Sequence, residues 1–390
     1  MTPGARIQAA IDCLGPILDG APAGQVLIRW VRGARYAGAG DRRAVRDHVH
    51  DVLRRRRSAA HAGGGDDARA LMIGTLLLDG IDPHPLFSGE GHAPAPLQPG
   101  EGQGLTPGGL EGAPPAVRAD LPDWLWPRLV REHGEEGALR IGLAQRERAP
   151  AWLRVNVIRA SREAAAGFLA AEGIATRPHP QVETALELVG QTQRLRQSRA
   201  FLSGLVELQD AAPQAAVLRL ELQPGMRILD HCAGGGGKAL AIAARTGGPV
   251  FAHDADPARM RDLPARAARA GADIRILADP AREPPFDLVV VDAPCSGSGT
   301  WRRTPDSKWR LTPARLEELV ALQARIAAGA AALVAPGGRL AWMTCSVLDE
   351  ENGACIRALH AATGWDLVES HLWLPAAHGD GFYLAILKKP

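Results

Sequence analysis

Phe286-Asp287-Leu288-Val289-Val290-Val291-Asp292-Ala293-Pro294-Cys295-Ser296-Gly297 is the stretch that decides the fold of this chain. Four consecutive aliphatic residues, Leu288 to Val291, leave no polar face, so the strand they form must be covered on both sides, as strands of a parallel sheet are. Pro294 and Gly297 then end it in a turn. Similar strands are expected at Met226 to Asp230, Val250 to His253, Ile274 to Leu277 and Arg339 to Met343, with helices between them. This alternation predicts an α/β fold built on a doubly wound parallel sheet. A last strand, Phe382 to Leu387, enters through Gly379-Asp380-Gly381 and is expected to pair antiparallel at the sheet edge.

Outward from this core, 390 residues are enough for two or three domains, each with its own core. Residues 1–80 read as helical, with Val45, Val49, Val52 and Leu53 at helical spacing. Seven arginines lie between Asp41 and Arg57; a solvated helix face and an RNA-phosphate surface are both open readings. Residues 81–120 turn to proline and glycine and read as a linker. The segment 121–203 reads as a small α+β module, with strands at Trp152 to Ile158 and Thr184 to Val189 and a helix at Arg162 to Glu172. Arg154, Arg194 and Arg196 make it modestly basic. The sheet domain is placed at 204–390.

A net charge of +2 does not by itself mark a nucleic-acid binder. The five cysteines (Cys13, Cys232, Cys295, Cys345, Cys355) include no CxxC pair and no metal-ligand spacing, which favours free thiols in a reducing, cytoplasmic setting. No apolar run approaches the roughly 20 residues of a membrane span, and Met1 to Arg6 opens no signal peptide. Nothing in the sequence calls for a metal or a second copy of the chain.

After the first strand comes Asp230-His231-Cys232-Ala233-Gly234-Gly235-Gly236-Gly237-Lys238, then a helix. Glycines let backbone N–H groups and a helix N-terminus approach a nucleotide-like cofactor. Asp254, Asp279 and Asp292 follow the next strands. Carboxylates in series suit the cationic sulfonium of S-adenosylmethionine better than an anionic pyrophosphate: Asp254 at the ribose hydroxyls, Asp279 near the adenine edge, Asp292 facing the cleft.

Cys295 and Cys345 each sit just past a buried strand, so both open at one edge of one sheet. Two thiols beside such a cofactor suggest covalent catalysis. Cytosine C5 becomes nucleophilic only after something adds to C6, and a thiolate adds well and leaves again. After transfer the C5 proton must be removed so that the cysteine can leave, which requires a second, assisting group. Asp292 can hydrogen-bond the N3 and N4 edge of the base. Chemistry alone leaves either thiol as the nucleophile.

Asp230 to Lys238, Asp292 to Gly297, and Thr344-Cys345-Ser346 with Glu350-Glu351-Asn352 resemble the RNA cytosine-5 methyltransferases of the Nol/Nop/Sun type, on their bacterial Sun, or Fmu, branch. The basic stretch Arg302 to Trp309, Gln209-Asp210, Arg154-Val155-Asn156 and Asp380 to Tyr383 are similar too. The resemblance is strong over 204–390 and moderate over 120–203. Asp41 to Arg57 looks like part of that family's antiterminator-like helical RNA-binding domain. It implies a Rossmann-like class I S-adenosylmethionine-dependent methyltransferase sheet, preceded by a small α+β module and a helical domain. It also implies attack on C6 by Cys345, elimination assisted by Cys295, and cofactor binding by Cys232, Ala233, Gly234, Gly235, Gly236, Gly237, Lys238, Asp254, Asp279 and Asp292. The implied partner is RNA, foremost small-subunit (16S) ribosomal RNA. Transfer RNA is the neighbouring alternative, and a non-catalytic RNA-binding assembly factor is the alternative class. A nicotinamide oxidoreductase is disfavoured, since the loop lacks a clean GxGxxG. The chain departs from the family at Gly235, where proline is common, at His253, usually apolar, and at Ala278-Asp279-Pro280, which lacks a glycine. Cys13 and Cys355 are expected to have no chemical role.

Overall fold

The aliphatic segment 286–292 lies in the middle of a seven-stranded sheet in the computed structural model, which describes residues 1–102, 109–110, 112–190 and 192–390. Two compact units divide the chain: residues 1–148 with 301–313, and residues 149–300 with 314–390.

Among the described residues the second unit holds eleven strands. Four make a small antiparallel sheet: β1 (Trp152–Val155), β2 (Thr176–Pro178), β3 (Ala185–Leu188) and β4 (Val206–Leu208), in the order β2-β3-β1-β4. The expected boundary at 203/204 cuts this sheet, because Leu153 pairs with Leu208 and Val155 with Val206. Three residues between turns gave β4 too little pattern to place it from sequence.

The large sheet contains β5 (Ile228–Asp230), β6 (Val250–Ala252), β7 (Ile274–Ile276), β8 (Phe286–Asp292), β9 (Val334–Thr344), β10 (Asp366–Trp373) and β11 (Phe382–Lys388). Its order is β10-β11-β9-β8-β5-β6-β7, parallel from β9 through β7 and antiparallel at β11 and β10. Val289, Val290 and Val291 are fully buried, as a strand covered on both faces requires. Each such side chain contributes about 1.5–3 kcal/mol of burial free energy. The last strand is antiparallel, as expected, but it is not the edge: β10 lies outside it. β11 buries six consecutive residues, while β10 carries Asp366, Glu369, Ser370 and His371 and fully buries none of its residues. That polar composition hid β10 in the sequence and suits an edge strand.

The first unit is helical over Pro3–Leu18, Ala23–Gly33, Ala39–Arg54, Arg56–Gly63 and Ala68–Leu78. Val45, Val49, Val52 and Leu53 are buried in its core, as their spacing required. The helix Trp126–Arg146, assigned by sequence to the α+β module, belongs to this unit, where Arg146 pairs with buried Asp120 at 3.2 Å. Much of the stretch read as a linker is packed structure. Phe87 is buried under the Arg69 guanidinium, which also holds Glu101 and the carbonyls of Ala95 and Pro96. Residues 103–108 and 111 of that stretch lie outside the described residues.

The arginine run has internal partners. Arg54 is buried and donates to the Arg302 carbonyl and Asp51, Arg55 is bidentate on Asp79, and Arg57 holds Asp123 and the Leu121 carbonyl. The basic stretch after the Cys295 motif also turns inward. Lys308 donates to the Arg54 carbonyl at 3.3 Å and Trp309 to the Leu53 carbonyl at 2.6 Å, with Arg302 and Lys308 both buried. Burial, opposed by Asp120, brings the Lys308 ammonium down to about 8. Among the described residues no helix is long and apolar enough to cross a membrane.

Candidate active site

The glycine-rich loop leaves β5 at Asp230, which is buried. Its Oδ2 accepts the Ala239 N–H at 2.9 Å, tying the strand end to the helix Gly237–Thr246. Its Oδ1 has no hydrogen-bond partner among the described residues. The Gly234 N–H donates to Asp254 Oδ2 at 2.9 Å, which binds the loop to the end of β6. Gly236 has φ +79°, and a Cβ there would lie 2.1 Å from Leu263 Cδ1, so this position requires glycine. Two departures from the family pattern have internal partners: the Gly235 carbonyl accepts from Arg266, and His253 stacks on His231 and contacts the Leu277 carbonyl at 3.1 Å. Burial, reinforced by Asp230, Asp254 and Asp292, pushes the Cys232 thiol up to about 12, so it stays protonated.

Burial also pushes Asp230 up to about 7, against the pull of Lys238. An acid whose folded pKa exceeds its unfolded value keeps a proton that the unfolded chain has lost. Its contribution to stability therefore falls as pH rises from 3.8 to about 7 and is level above that. Asp230→Asn still accepts from Ala239 but does not ionise. The wild-type Tm minus the variant Tm should decline across this window and then flatten; a difference independent of pH would show that Asp230 does not titrate there.

Lys238 Nζ donates to Asp292 Oδ2 at 2.5 Å at the end of β8. Burial opposes the ammonium, but Asp292, Asp230 and the nearby Cys345 outweigh it and hold the lysine above its ordinary value. The Phe382 ring lies 5.4 Å from the same nitrogen. The sulfurs of Cys295 and Cys345 are 3.4 Å apart. The hydrogen bond to Cys345, burial and the Glu351 carboxylate all push the Cys295 thiol well up. The two thiols thus differ in their surroundings: Cys345 interacts with a lysine, Cys295 with a carboxylate.

Buried hydroxyls and amides hold the two cysteine loops together. Ser298 and Ser346 share a hydrogen bond of 2.8 Å, Val347 donates to Ser298 Oγ, and Leu348 donates to Ser346 Oγ. Thr344 Oγ1 donates to Asn352 Oδ1, whose amide returns to the Ser346 carbonyl. Fully buried Glu351 accepts from the Ser296 N–H, the Ser296 hydroxyl and Gln323 Nε2. The Gly299 N–H donates to the Cys345 carbonyl at 2.9 Å, and the Gly381 N–H to the Gly299 carbonyl at 2.8 Å.

Two family models match the chain: 16S rRNA methyltransferase RsmB/F over residues 217–388, and an RsmF/B-like ferredoxin-like domain over residues 121–193. The ribosomal RNA small subunit methyltransferase B of Sodalis glossinidius is 35% identical over 301 residues, 70% of this chain and 68% of that one. The chain belongs to the RsmB/F family. The methyltransferase B of Vibrio cholerae is 35% identical over 290 residues, 70% of this chain, which spans 66% of that relative's length. Among solved structures similar to this RsmB/F chain, PH0851 has a TM-score of 0.75 at 24% identity, covering 100% of this chain and 99% of that one. A methyltransferase homolog from Pyrococcus horikoshii has a TM-score of 0.63 at 23% identity, covering 73% of this chain and 100% of that one. At these identities the two structures show the fold: a Rossmann-like methyltransferase sheet.

Within this RsmB/F fold, Lys238, Asp292, Cys295 and Cys345 come together at the ends of β8 and β9, and Cys232 to Gly237 lies against Asp254. Asp279 stands apart from these contacts: it is exposed, caps the turn Pro280–Arg282 and pairs with Arg282 at 3.2 Å. Sequence reasoning missed Glu351 as the group that fixes the Cys295 loop, and it missed the Ser298–Ser346 link. The only available signal was Glu351 in the motif after Cys345, and a glutamate in a row of acids reads as solvated. Cys13 and Cys355 are buried, and burial pushes both thiols up to about 11.

Proposed function

We propose that this chain methylates C5 of a cytosine in small-subunit (16S) ribosomal RNA through a covalent bond between Cys345 Sγ and C6 of the base, with S-adenosylmethionine as donor. The observation that carries this reading is the pair of sulfurs 3.4 Å apart at two strand ends. Addition of the Cys345 thiolate to C6 moves the C5–C6 electron pair onto C5. Asp292 at the end of β8 accepts a hydrogen bond from the N4 amino group of the base and holds it beside the thiols. When bound, the cofactor supplies an electrophilic methyl group on a cationic sulfonium. Cys232 to Lys238, Asp254 and Asp279 would hold it. Gln209 Oε1, a buried acceptor near this loop without a hydrogen-bond partner among the described residues, suits a ligand that carries an ammonium. After methylation the C5 proton passes to solvent water, the C5–C6 double bond returns, and Cys345 departs as a thiolate. Cys295, which keeps its own proton, assists that departure. Free thiols of this kind suit a reducing cytoplasm, and the names of the relatives support ribosomal RNA as substrate.

The test is transfer of a labelled methyl group to ribosomal and transfer RNA, with the modified nucleotide mapped. 5-Methylcytosine at a defined position in 16S rRNA is expected. Label in transfer RNA alone would change the substrate, and no label in either RNA would remove the activity.

A further inference from the structure

A cavity of about 510 Å³ opens within the second unit at the same sheet edge as the two cysteines, and the chemistry above does not use it. Its size falls in the range of about 300–1,000 Å³ typical of small-ligand sites. One wall is the end of β10, where the His371 and Trp373 rings lie 4.1 Å apart. The floor is the face of the helix Ala211–Leu218 carrying Ala211, Ala212 and Ala215, which leaves flat space below the rings. On the small-module side His179 is fixed as a neutral tautomer: its Nδ1 accepts from Gln181 and Val182, so its Nε2–H donates to the His378 carbonyl at 2.9 Å. Arg219 at the rim is neutralised by Glu369. The lining is therefore aromatic, with its arginine paired. It suits a neutral heteroaromatic ring better than a phosphate or a carboxylate.

Its position relates it to the reaction. The cavity wall runs through Gly379 and Asp380 to Gly381, whose N–H bonds to Gly299, which in turn bonds to Cys345. Lifting a cytosine out of its stack to reach a thiol strips its neighbours of a stacking partner. An aromatic surface at the same end of the sheet can replace that partner. We infer that this cavity binds the base of a nucleotide adjacent to the target cytosine. The inference rests on the RNA reading above.

The experiment uses the full chain and a short RNA that it methylates. Trp373→Ala should raise KM for that RNA about tenfold, the scale of one lost base–aromatic stack, with little change in kcat. Ala215→Phe fills the floor without removing a ring and should do the same. Unchanged affinity for S-adenosylmethionine in both variants confirms that the fold is intact. An abasic nucleotide beside the target should raise KM to a similar extent in the wild type and add nothing further in Trp373→Ala, because both changes remove one contact. Wild-type KM in both variants, or fully additive effects, would overturn the inference. So would quenching of Trp373 fluorescence by free adenosine monophosphate when abasic and intact RNAs give the same KM, since the site would then take a free nucleotide. If the wild type methylates no RNA, it is the underlying reading that fails, and that result is distinct from all of these.

Discussion

Cys345→Ala is expected to abolish the covalent RNA adduct and to lower methyl transfer by about 10⁴-fold or more, because without addition at C6 the C5 carbon is not a nucleophile. Cys295→Ala should behave in the opposite way. Addition and methylation proceed, but the elimination step loses its assisting group, so RNA remains attached to protein and survives denaturation. The readout is a band of protein–RNA complex on a denaturing gel, absent for the first variant and enriched for the second. This direction follows from the surroundings of the two sulfurs. Cys345 interacts with Lys238, while Cys295 is pushed well up by Cys345, burial and Glu351 and so holds its proton. Glu351→Gln tests the same asymmetry: it keeps the acceptor for Ser296 but removes the charge, and should reduce the adduct trapped by Cys295→Ala only modestly. An adduct formed by Cys345→Ala and lost in Cys295→Ala would move the nucleophile to Cys295.

How far the site could be read in advance depended on how local each signal was. Leu288 to Val291 revealed β8 because a continuous aliphatic run has few other uses, and the glycine loop and both cysteine motifs lie directly on strand ends. β10 carried no comparable signal, since an edge strand facing water can be polar and still complete its ladder through β11. The arginines from Arg54 to Arg57 misled for a related reason. A run of like charges reads as a solvated or RNA-facing surface, whereas here Asp51, Asp79, Asp123 and backbone carbonyls, all distant in sequence except Asp51, give three of them partners. Pairing between segments dozens of residues apart leaves no periodicity. The same holds for Ser298 with Ser346 and for Glu351 with Ser296. Sequence could therefore name the reacting groups, while the framework that orients them became visible only in three dimensions.

Gly299→Ala is the substitution expected to damage that framework most. A Cβ at this position would lie 2.4 Å from the Gly381 carbonyl oxygen and 2.7 Å from its Cα, so it meets backbone just before β11, which no side-chain rotation can relieve. Gly381 is equally confined, with Gly299 Cα 2.6 Å from its own ideal Cβ. The two backbones must separate, at a cost of about 3 kcal/mol, the upper part of the range for overpacking. For a unit of this size that corresponds to a fall in Tm of roughly 6–12 °C. The effect on chemistry should exceed the effect on stability. Gly299 carries the hydrogen bond to the Cys345 carbonyl, so separation from Gly381 shifts one thiol loop against the other, and an error near 1 Å at a reacting centre can cost about 10²-fold in rate. Gly329→Ala is the control. It lies exposed on the helix Pro313–Ala332 with no atom within 4 Å of its ideal Cβ, and there alanine should be neutral or stabilise by about 0.5–1 kcal/mol. If Gly299→Ala unfolds and reacts like Gly329→Ala, the contact between Gly299 and Gly381 does not set the geometry of the cysteine pair.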